Sequence, residues 1–130
     1  MPSREDTLAI RVRDAAVRFC KQHLGRGPRE TRVFVFNDQV LIVARGLLSP
    51  IERDLADADP SGSTTRLLKE LFWRRVEHGR PRLKVLIAEA LGVAVCSVHA
   101  DLSTNNGDAV LVLGLEGTTL PKAACEATGT

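Results

Sequence analysis

Apolar residues along the chain recur with two periods, and these divide it into helices and strands. Leu8, Val12, Ala15 and Phe19 lie at the steps of one helical stripe, and Ile10, Val17 and Leu24 mark a second. The spacing predicts a helix over 4–24 that touches two partners. Ser3 and Asp6 resemble a capping box at its start, and Gly25 is the expected stop. The β-branched and aromatic run 32–36, the pair Asn37-Asp38 and the run 39–45 read as a hairpin with a two-residue turn. Ser49-Pro50-Ile51-Glu52 combines a cap residue, proline at the first helical position and glutamate at the third, which predicts a short helix over 50–58.

Asp59-Pro60-Ser61-Gly62-Ser63 breaks that helix. A longer helix is expected over 64–78, with Leu67, Leu68, Leu71, Phe72 and Val76 on its buried side. Gly79-Arg80-Pro81 interrupts it, Pro81 either opening a further helix or kinking a continuous one. Leu83, Leu86, Ile87, Ala90 and Leu91 carry the stripe on to Gly92. Strands are expected over 93–103 and 108–115, joined by Thr104-Asn105-Asn106-Gly107. Residues 117–130 are small, polar and aperiodic, the pattern of a mobile C-terminal tail. The order helix, hairpin, helices, hairpin is a duplicated αββ pattern. It predicts one α+β domain over 1–116, with a mainly antiparallel four-stranded sheet.

The strands place apolar residues on both sides. Val33 and Val35 oppose Phe34 and Phe36, Val40 and Ile42 oppose Leu41 and Val43, and Val110 and Val112 oppose Leu111 and Leu113. Both faces of the sheet therefore need cover. Either helices wrap to both sides, or a second copy covers one face in a homodimer that buries roughly 1,200–2,000 Å².

Composition narrows the function classes more than it selects one. The 130 residues are 44% hydrophobic and 26% charged, a balance that excludes a disordered chain. No apolar run approaches the ~20 residues of a membrane span, and the charged start lacks the apolar stretch of a signal peptide. A net charge of +2 gives no global attraction to nucleic acid or anionic membrane. The basic residues are 14 Arg and 4 Lys, mostly interspersed with acids on helix faces. Cys20, Cys96 and Cys125 are odd in number and widely spaced, which excludes a disulfide framework and fits a reducing cytoplasm.

Two segments carry candidate chemistry. Ser97, His99, Asp101 and Ser103 share one strand face, with Cys96, Val98, Ala100 and Leu102 on the other. Imidazole beside carboxylate can bind a ligand or form half a metal site, with Asp108 as a further oxygen donor. The 6.5–7 Å along the strand implied by ~3.3 Å per residue suits a shared ligand better than a direct catalytic pair, and a solvated or hydrogen-bonded strand face is the simpler account of these residues. A Ser-His-Asp triad has no support, because no nucleophile elbow is present. The loop Gly25-Arg26-Gly27-Pro28-Arg29 offers amides and guanidinium groups to an anion, with Arg26, Gly27 and Arg29 as its binding candidates. It lacks the residues of a P-loop. The basic stretch Arg74, Arg75, Arg80, Arg82 and Lys84 beside Trp73 is the place where nucleic acid would bind, but a solvated helix face is the better account of it. No catalytic constellation and no cofactor motif is present.

The runs Gly25-Arg26-Gly27-Pro28, Leu48-Ser49-Pro50-Ile51-Glu52, Gly92-Val93, Ser97-Val98-His99-Ala100-Asp101-Leu102-Ser103-Thr104 and Gly107-Asp108 resemble the MpsC-like, or YbcI-like, family of small bacterial proteins. The resemblance spans Thr7 to Glu116. The family carries the label of a Na+-translocating membrane potential-generating system subunit and was long described as a domain of unknown function. The resemblance implies a soluble cytoplasmic protein that serves as an accessory subunit. Its expected partners are antiporter-like and other membrane transporter subunits of a system linked to inorganic carbon uptake and membrane potential. The residues leave two further readings: a small-ligand or anion-binding regulatory dimer, and a nucleic-acid-binding protein.

Overall fold

The computed structural model describes residues 4–117 and contains helix α1 (Arg4–His23), strands β1 (Glu30–Phe36) and β2 (Gln39–Arg45), helices α2 (Pro50–Asp57) and α3 (Ser63–Leu91), and strands β3 (Val95–Leu102) and β4 (Ala109–Leu115). All pairings are antiparallel, in the order β1-β2-β4-β3. The class is α+β, as expected. The two αββ units meet at their second strands, so β1 and β3 are the two edges. The expected cap at Ser3 and the expected tail beyond Gly117 lie outside the described residues.

Local chemistry accounts for most element ends. Asn37 takes a positive φ of 43° in the two-residue turn between β1 and β2. Gly25, at φ 86°, follows α1 as its stop. Ser49 and Glu52 form the full capping box of α2: Ser49 Oγ accepts from Glu52 N at 3.2 Å, and Glu52 Oε1 accepts from Ser49 N at 2.8 Å. Gly62, at the start of α3, has no side chain to cap with, and Asp59 does the work instead. Its carboxylate accepts from the Ser61 hydroxyl at 2.5 Å, from Thr64 N at 2.9 Å and from the Thr64 hydroxyl at 2.8 Å. These bonds, the Ser61 hydroxyl first, hold Asp59 well below the usual carboxylate range.

Of the two alternatives at Gly79-Arg80-Pro81, the structure takes the continuous one: a single 29-residue helix with Pro81 inside it. Gly79, on the buried side of this helix, has a packing role. A Cβ there would lie 2.7 Å from Phe19 Cε1 and 2.8 Å from the His23 ring. The bare backbone of α3 is thus the floor on which α1 sets its Phe19–His23 stack, whose ring centroids are 5.0 Å apart. Glycine costs helix propensity but permits this close approach.

Both helices lie on one face of the sheet, α1 against β1 and α3 against β3. That face supplies Val40, Ile42, Ala44, Ala109, Leu111, Leu113, Val98 and Leu102 to a single core with Val12, Phe19, Leu83 and Ile87. Each fully buried large side chain contributes about 1.5–3 kcal/mol. Among the described residues the other face carries no helix, so the described helices do not wrap to both sides. The stripe expected on the first half of α3 is also corrected: Phe72 and Val76 are buried, but Leu67 and Leu71 are 56% and 44% exposed. The helix is ~43 Å long at 1.5 Å per residue, whereas the strands span ~23 Å, so its first turns overhang the sheet.

Replacing Gly79 by alanine is expected to lower stability by about 1–3 kcal/mol through overpacking. Urea denaturation would measure this, and an unchanged midpoint would contradict the close crossing.

Candidate functional site

The structure separates the two candidate segments. Arg26, Gly27 and Arg29 lie on the loop before edge strand β1, and Ser97, His99 and Asp101 lie on the opposite edge strand β3, about 14 Å away at three strand spacings. They do not form one site. The Arg29 amide donates to Arg45 O at 2.7 Å and so extends the hairpin ladder. Gly27 sits against the Lys21 stem. Arg26 is exposed and points the loop towards a cavity described below.

On β3, Ser97, His99 and Asp101 face the uncovered side of the sheet. Asp101 is 79% exposed and pairs with Lys69 at 3.5 Å. Ser103 lies just past the strand, where its N–H donates to Asp108 O at 2.8 Å and its carbonyl accepts from Gly107 N at 2.9 Å. The Asp108 carboxylate accepts from Gly46 N at 3.2 Å. Among the described residues, no three His, Cys, Asp or Glu side chains come together as metal ligands. A bulge between Val95 and Ser97 corrects the placement of Cys96: the extra residue turns its thiol outwards, away from the face of Val98. Gly114 lies opposite Ser97, and any side chain there would run into Ser97 Oγ.

The basic stretch of α3 is dispersed. Arg74 pairs with Glu70 at 2.7 Å, Arg80 pairs with Glu77 at 3.4 Å, and Arg75 donates to Leu24 O at 3.2 Å. Three of the five basic groups thus have partners within the chain.

Two hollows remain. One, of about 360 Å³, runs between edge strand β3 and α3, with His99, Trp73, Glu77 and Arg80 on its walls. The other, of about 230 Å³, lies at the overhanging end of α3. Leu24, Leu47, Leu68 and Phe72 are among its apolar walls, and Arg26 and Arg75 also line it. Elements in contact here expose more apolar surface: Ile51 and Leu55 on α2 are 72% and 58% exposed, and Leu67 and Leu71 on α3 are 56% and 44% exposed. This cavity was not anticipated from sequence. Its signal was an excess of leucines over what one buried stripe requires, together with Arg75, which had been grouped with the basic stretch.

These features define a small α+β module of two αββ units with an open sheet face and an apolar, arginine-lined hollow. The chain belongs to the family described as Na+-translocating membrane potential-generating system (MpsC), whose model matches residues 5–117. It is 32% identical over 97 residues to the "Uncharacterized protein YbcI" of Bacillus subtilis (strain 168), covering 73% of this chain and 74% of that protein. No solved structure matches it.

The cysteines give a chemical check on this geometry. Burial raises the Cys20 thiol from 9.0 to about 12, whereas Cys96 is exposed. A thiol reagent should modify Cys96 rapidly in the native protein and Cys20 only on unfolding, as read by peptide mass spectrometry. The native state keeps a proton that the unfolded chain loses, so the Cys20 contribution is intact below pH 9.0 and is lost as pH rises towards 12. Cys20→Ala should flatten the fall of stability in that window, and an unchanged slope would contradict the burial.

Proposed function

We propose that this chain is a partner-binding accessory subunit of a membrane potential-generating system, held in the cytoplasm against a membrane subunit. The observation that carries the reading is the apolar surface at the overhanging end of α3. There Leu67 and Leu71 are exposed, Ile51 and Leu55 are exposed on neighbouring α2, and a hollow of about 230 Å³ opens among Leu24, Leu47, Leu68 and Phe72. Exposed apolar surface around a concave site is the usual mark of a protein-docking surface. Among the described residues, no helix is long and apolar enough to cross a membrane. Membership of a family named for a membrane system then favours attachment through a partner. Arg26 and Arg75 complement an apolar segment that carries a carboxylate.

A second reading, a small-anion regulator, rests on the same two arginines. Calorimetry with bicarbonate and phosphate tests it: a heat of binding abolished in Arg26→Ala and Arg75→Ala would favour regulation over docking.

Affinity capture from detergent-solubilised membranes tests the leading reading. The native chain should retain a polytopic membrane subunit, and Leu67→Asp with Leu71→Asp should release it while leaving the fold intact by circular dichroism. Both leucines are exposed, so the substitutions are expected to leave stability nearly unchanged. Recovery of the chain alone would contradict the reading.

A further inference from the structure

The open face of the sheet is built in rows. The register places Arg32, Val43, Val110 and Asp101 side by side in one row, and Phe34, Leu41, Val112 and His99 in the next. The third row is Phe36, Gln39, Gly114 and Ser97. Phe34, Phe36 and Val110 are 42%, 55% and 38% exposed, and Leu41, Val43 and Val112 are half-buried. Phe34 and Phe36 stack in parallel, with centroids 6.4 Å apart. The first row runs from base through two valines to acid.

We propose that this face binds a second copy of the same chain, the two sheets stacking about a two-fold axis that runs along the strands. Such an axis lays each row on itself in reverse. Arg32 then meets Asp101 of the second copy, Val43 meets Val110, Phe34 meets His99 and Leu41 meets Val112. In the third row the large side chains meet small ones, Phe36 over Ser97 and Gln39 over Gly114. Every contact occurs twice, as an isologous interface requires. Sheets stacked in this way lie about 10 Å apart and some 30° from alignment, an offset that the long arginine side chain can span. A two-fold axis across the strands would instead set Asp101 against Ser97 and leave it without a countercharge.

The charges at the two edges are available for this exchange. Arg32 and Arg45 share one carboxylate, Glu30, at 3.3 Å and 3.9 Å, which leaves that corner one positive charge in excess. Among the described residues, Asp101 is held by Lys69, in an exposed pair of the kind that contributes little. The face measures roughly 19 Å by 23 Å in plan from strand spacing and rise, about 870 Å² over two copies before side-chain relief is counted, which approaches the ~1,200 Å² of total surface at the lower end of specific dimers. This interface is separate from the α2–α3 surface, so either proposal can fail alone.

Light scattering on the intact chain provides the test. Twice the 14.1 kDa chain mass is expected at micromolar concentration, with Leu41→Asp reducing it to a single chain mass. Arg32→Asp and Asp101→Arg, both on exposed side chains, should each weaken the dimer about tenfold or more, and the double variant should recover to within about threefold. A single chain mass for the native protein, or a dimer indifferent to Leu41→Asp, overturns the face. A double variant no tighter than the single ones overturns the arrangement of the copies.

Discussion

The bare backbone of α3 at Gly79 lets α1 set Phe19 and His23 directly against it, and the rest of the architecture follows from that contact. Two helices so closely joined form one layer. One layer covers one face of a sheet, and the core forms where that layer meets Val40, Ile42, Leu111 and Leu113. The same contact leaves the other face uncovered by the described helices. Strands apolar on both sides are the usual property of a sheet buried on both faces. Here the single helix layer accounts for one side only.

A second consequence comes from length. Strands of seven or eight residues cannot support a helix of 29, so α3 projects beyond the sheet at its beginning. The projecting turns have short α2 for company, and their leucines surround a hollow instead of filling a core. The molecule thus has two apolar surfaces of different character. The sheet face is flat and graded from base to acid across its strands, the form that suits a copy of itself. The α2–α3 surface is concave and lined by guanidinium groups, the form that suits a different molecule. Membership of the MpsC family supplies a context in which a chain with both surfaces has work to do.

The strands and hairpin turns were legible because their signals are local. Asn37-Asp38 and Gly107 mark turns by backbone preference, and the alternation of Val33, Phe34, Val35 and Phe36 set out both faces before any contact was known. Pro81 left two alternatives open for the same reason: its local meaning is a break or a kink, and only the structure shows that the helix runs through. Leu67 and Leu71 carried the correct period but the wrong environment, since periodicity cannot report where the sheet beneath ends. The bulge at Cys96 shifted one residue from the expected side. Arg26 was singled out from the sequence and lines the hollow, whereas Arg75 arrives from a segment 49 residues away and is brought there by the helix crossing.

The arrangement of the two copies can be read directly by isotope-filtered nuclear Overhauser spectroscopy on a mixture of labelled and unlabelled chains. Within one chain, Phe34 on β1 and His99 on β3 are separated by about 14 Å, three strand spacings, beyond the reach of such a contact. A cross-peak between the Phe34 ring of one copy and the His99 ring of the other is predicted. A cross-peak from Phe34 to its own counterpart, or no contact between chains at all, would contradict the account.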